Sequence, residues 1–85
     1  MADLPDRDTL ADALAIADAV HEEYERSALK GMGDDKWPGF FAAFVIGRLG
    51  EFVAASRLAL LLEEVEESEE WPRVAADYVL MKLRS

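Results

Sequence analysis

Cysteine is absent from these 85 residues, and histidine occurs once. A small secreted domain usually relies on disulfides and a structural zinc site usually uses thiolates, so both classes lose ground. A reducing cytoplasm is the expected place of work. Basic residues are scarce, nine Lys and Arg against 18 Asp and Glu, for a formal net charge of -9. Such a surface repels phosphate, so direct nucleic-acid binding is not expected. No long apolar run exists either. The longest nearly uncharged stretch, Trp37 to Leu49, is 13 residues with Arg48 inside it, too short to cross a bilayer, and no membrane partner is expected. The opening carries Asp3, Asp6 and Asp8 against Arg7, which is not the basic start of a secretory leader.

Catalytic signatures are missing as well. The chain has no phosphate-binding glycine loop, dinucleotide fingerprint or nucleophile elbow. Gly47-Arg48-Leu49-Gly50 spells the GXXG of a KH domain by letters alone, in an acidic sequence without the flanking strands. Asp34-Asp35 lacks the spaced oxygen ligands of a calcium loop. No enzyme activity and no cofactor are expected.

What is present is helical periodicity. Apolar residues make up 52% and mean hydropathy is -0.02, enough for one packed domain. Residues 1–8, with Pro5, read as a flexible tail, and 9–85 as a single helical domain. Asp8 or Thr9 is the expected cap of a first helix from about Thr9 to Ala28. Its apolar stripe is Leu10, Ala13, Leu14, Ala17, Val20, His21 and Tyr24. Lys30 to Asp35 supplies turn chemistry. A second helix, Trp37 to Leu49, has Pro38 in its first turn and almost no polar face, which predicts central burial. Within it Gly39, Ala43 and Gly47 form a small-residue stripe suited to close helix approach. Gly50 is the expected left-handed stop. The stretch 51–55 is ambiguous. Ser56 is a plausible cap for a third helix ending near Glu67, and Ser68 for a fourth, about Glu69 to Arg84. That helix should bury Trp71, Val74, Ala75, Tyr78, Val79 and Leu83, with Glu69, Arg73 and Asp77 pairing at four-residue steps.

Trp37 to Leu49 echoes Trp71 to Leu83 at a 34-residue offset, with Trp, Pro, Ala, Val and Leu repeated. The offset suggests a tetratricopeptide repeat, but Phe41 and Arg57 occupy positions where that pattern wants other residues. The expected architecture is all-α, a compact four-helix bundle planned as two similar helical hairpins.

Charge is segregated: residues 1–35 carry -7, 36–62 carry +2 and 63–85 carry -4. Glu63, Glu64, Glu66, Glu67, Glu69 and Glu70 form a candidate acidic interaction surface. His21 and Glu25, four apart, share a helix face and are candidates to hold a metal or a small ligand. Asp18 stands where a carboxylate di-iron helix would place Glu, and a homodimer would have to provide the second such pair. Trp37, Phe40, Phe41, Phe44, Trp71 and Tyr78 exceed what so short a chain hides alone, which also points to a homodimer.

His21-Glu22-Glu23-Tyr24-Glu25 followed by Asp34-Asp35-Lys36-Trp37-Pro38-Gly39-Phe40-Phe41-Ala42-Ala43-Phe44 resembles a group of small helical bacterial proteins common in actinobacteria. Their pattern is H-x-x-[YH]-E, then D-x-x-W-P-x-x-[YF]-A-x-[YF]. The match spans about residues 21–44, and Lys36 departs from an acid expected before Trp. The resemblance implies a compact helical fold, leaves activity open, and raises His21, Glu25, Asp34 and Trp37 as positions that meet between the first two helices. The expected function is an acidic helical module that binds another protein as a regulator or inhibitor. The alternatives are a metal- or ligand-binding bundle at His21 and Glu25, and a nucleic-acid mimic that occupies a basic protein.

Overall fold

A computed structural model describes residues 3–27 and 37–84. Asp6 starts the first helix: its side chain accepts a hydrogen bond from the Thr9 backbone N–H at 2.7 Å, and its carbonyl accepts one from Leu10 at 3.0 Å. Helix α1 is therefore Arg7–Ser27, beginning two residues before the periodicity predicts, with Asp6 rather than Asp8 or Thr9 as its cap. Helix α2 is Trp37–Leu49, as predicted, and stops at Gly50, whose φ of 91° is the left-handed conformation expected there. The Gly50 N–H donates to the Ile46 carbonyl at 2.8 Å, closing the last turn.

Helix α3 is Ala55–Glu63. Ala54, not Ser56, occupies its cap position, without a side-chain hydrogen bond. The helix ends before Glu67 because glutamates accumulate at the negative end of its dipole. Its last turn tightens instead, with the N–H groups of Glu64 and Val65 reaching back to Leu61 and Leu62 at 3.2 and 3.3 Å. Helix α4 is Trp71–Arg84, entered through a bond from the Trp71 N–H to the Ser68 carbonyl at 3.0 Å. Among the described residues there is no strand, and no helix is long and apolar enough to cross a membrane.

The four helices form an all-α bundle in which α1 lies against α2 and α4, and α3 lies against the same two. Leu10, Leu14, Val45, Leu58, Leu62 and Val79 are fully enclosed at its centre. The repeated Trp-Pro starts explain themselves here. The Trp37 and Trp71 rings meet edge to face at 5.8 Å, and Phe41 adds its edge to Trp71 at 5.4 Å, so these rings bridge the starts of α2 and α4 across the bundle.

Four expectations about burial are corrected. Helix α2 is not central: Pro38, Phe41, Ala42 and Val45 are buried, while Gly39, Ala43 and Gly47 face outward. A Cβ built on Gly39 or Gly47 meets nothing within 4 Å, so among the described residues the small stripe packs on no other helix. Val20 and Tyr24 are 42% and 43% exposed rather than core. On α4, Val74 is exposed and Tyr78 and Leu83 are half-buried, whereas Ala76 and Leu80 are enclosed. Phe52 and Val53, in the ambiguous connection, plug the core between α2 and α3. The expected charge ladder on α4 also changes: Arg73 lies 3.8 Å from Glu70, and Asp77 pairs with Arg7 of α1 at 3.1 Å.

Candidate functional site

His21 is the one buried polar residue among those described, 6% exposed. The α1 spacing sets it one turn after Ala17 on the inner face, where α2 arrives carrying Phe40 and Phe41. Its ring centroid lies 5.0 Å from that of Phe40 and 5.4 Å from that of Phe41, with Tyr24 at 6.2 Å. Glu25, one turn later, brings Oε1 to 3.6 Å from His21 Nδ1, an ion pair whenever the imidazole is protonated. The sequence expectation that His21 and Glu25 share a face is therefore met in the fold.

Trp37 joins this group indirectly, touching Phe41 at 5.3 Å. Asp34 lies outside the described residues. Among those described, no group of three or more histidines and carboxylates is arranged to hold a metal. Among the described residues, the rings of Tyr24, Phe40 and Phe41 lie closest around the imidazole and orient it and shield it from water.

A second arrangement is larger. The two acidic stretches, far apart in sequence, come together on the flank of α1 that faces α4. Asp12 and Ala15 of α1 share a shallow groove with Glu69, Glu70 and Arg73. One turn further along, the Asp18 carboxyl is held above its ordinary pKa of 3.8, first by burial and then by the charges of Glu22, Glu67 and Glu25, partly offset by His21. Glu63, Glu64, Glu66, Glu67, Glu69 and Glu70 are all exposed. Glu64 turns toward α4, accepting a hydrogen bond from the Tyr78 hydroxyl, which raises the phenol pKa above its usual 10.0. On the outer side of α1, Arg26 bridges Glu22 and Glu23 at 3.2 and 3.1 Å.

Of the six glutamates singled out in the sequence, Glu67, Glu69 and Glu70 thus join Asp12 and Asp18 in a wider acidic face, whereas Glu64 is tied to Tyr78. The contributions of Asp12 and Asp18 escape sequence reading, because α1 alone does not reveal which of its flanks the distant loop will cover. No family model, curated protein or solved structure matches the chain.

Proposed function

We propose that this chain is a small protein-binding module, a regulator or inhibitor without catalysis, working in a reducing cytoplasm. One observation carries the reading: the α1 acids and the Glu67 to Glu70 segment converge on one face, and Asp18 is crowded by its neighbours there. Assembling like charges costs stability, and a basic partner would compensate that cost on binding. The absence of cysteine and of any known catalytic motif is consistent with this role. Membership of the helical bacterial group with the H-x-x-[YH]-E pattern is part of the same proposal, resting on residues 21–44. A basic protein that normally holds nucleic acid is the narrower version of the partner.

The experiment is a tagged pull-down from lysate of the source organism at low and high salt, with a Glu67→Gln, Glu69→Gln, Glu70→Gln variant alongside. The expected result is a stoichiometric basic protein retained at low salt, released at high salt, and lost by the variant with its helix content intact. Equal retention by the variant, or no retained protein, would refute the reading. Among the described residues, no group of three or more histidines and carboxylates supports a metal site at His21 and Glu25.

A further inference from the structure

The flank of α1 opposite the acidic face is apolar. Ile16, Val20 and Tyr24 recur at four-residue steps and are 37%, 42% and 43% exposed. Tyr24 stacks on Phe40 at 6.1 Å with an interplanar angle of 15°, and Phe40 on Phe44 at 6.4 Å and 17°, so the stripe continues without a break onto α2. Ala43 and Gly47 extend it, exposed and with open space in front of the Gly47 backbone.

We propose that this seam between α1 and α2 is the contact between two copies of the chain. Charge leaves this seam as the place where two copies can meet with least repulsion. Two molecules of net charge -9 repel each other wherever carboxylates would face carboxylates. Helix α2 carries no acid and one base, Arg48, whereas α1 carries six acids and two bases. A two-fold axis parallel to the seam lays α1 of each copy against α2 of the other, acid-bearing helix against acid-free helix, and avoids the α1-on-α1 pairing that an axis across the helices would give. Glu23, beside the seam, is already bridged by Arg26 at 3.1 Å, so its charge is partly met within its own copy.

The size is compatible. The exposed parts of the seam residues amount to about 400 Å² per copy, in the range where an apolar patch on a small protein is usually functional. Thr9, Ala19, Glu23 and Arg48 at the rims are exposed and bring the contact toward the roughly 800 Å² per partner of an ordinary interface. The acidic faces lie on the other flank of α1, so the dimer would present two of them.

The test is sedimentation analysis of the purified full chain from about 10 µM to 1 mM, at about 0.05 and 0.5 M NaCl. The expected mass rises from 9.5 kDa toward twice that value with concentration. Salt should tighten the dimer several-fold, because net repulsion outweighs the exposed Arg48 contacts. Val20→Asp and Ala43→Arg should each weaken it at least about tenfold with unchanged helix content, and with melting temperatures that match wild type at concentrations where all are monomeric. Leu60→Asp, on the exposed side of α3, should leave it unchanged. A monomer at the highest concentration, insensitivity to Val20→Asp and Ala43→Arg, equal sensitivity to Leu60→Asp, or a dimer that salt dissociates would each overturn the proposal. The salt response runs opposite to that expected of the acidic face, so either proposal can fail without the other.

Discussion

Replacing Asp18 by Asn should stabilise the fold at neutral pH, although it deletes a charge from a charged surface. Burial and the neighbouring Glu22, Glu67 and Glu25 all disfavour the ionised carboxyl, and only His21 favours it. A like-charge pair at four-residue spacing on a helix costs roughly 0.2–0.5 kcal/mol. Glu67 adds a contact of the same order, and screening at this largely exposed position trims both, leaving about 0.5 kcal/mol to recover. For a domain of this size that corresponds to a rise of about 2–4 °C in melting temperature. The pH dependence gives a second, stricter check. A carboxyl whose folded pKa is raised above the unfolded value binds protons preferentially in the native state. Its penalty is present in full above the raised pKa, fades as pH falls through it, and vanishes below the ordinary 3.8. Thermal melts of wild type and Asp18→Asn at neutral pH and near pH 3 should therefore differ at the first and coincide at the second. A variant that is unchanged or less stable at neutral pH, or whose advantage persists in acid, would refute the crowding argument and remove the main support for a retained acidic face.

Two further outcomes test how the helices begin and end. Asp6→Ala should lower the melting temperature, because the Thr9 N–H loses its partner. The Asp6 pKa is lowered by that hydrogen bond, so its contribution is present above 3.8 and lost as pH falls through the depressed folded value; the two proteins should converge in strong acid. Gly50→Ala should cost about 1 kcal/mol in denaturant unfolding, since a Cβ is strained at a φ of 91°; an unchanged midpoint would mean the helix end relaxes out of the left-handed conformation.

Much of this architecture is legible along the chain. Trp-Pro and Gly50 bracket α2 because proline's missing N–H is harmless in a first turn and glycine alone enters the left-handed region without strain. His21 and Glu25 are legible as a pair for the same local reason, a four-residue helical step. The readings that changed depend on which flank of a helix a neighbour covers. Periodicity places Val20 and Tyr24 beside His21 on one stripe, yet His21 alone is enclosed by Phe40 and Phe41, while Tyr24 stacks on Phe40 with much of its ring exposed and Val20 stays open. Phe52 and Val53 show no period at all, and their burial follows from the path between α2 and α3.

Sequence by itself determined the class, the four helices and the excess of carboxylates, because propensity, capping and hydrophobic spacing act within a few residues. Tertiary structure decided what those features amount to. It set α1 with an acidic flank against the Glu67 to Glu70 segment and an apolar flank against α2. It also turned the Gly39, Ala43 and Gly47 stripe outward. Electrostatic crowding and exposed apolar area depend on distances through space, and residues 18 and 67 acquire theirs only when α1 and the α3–α4 connection pack together.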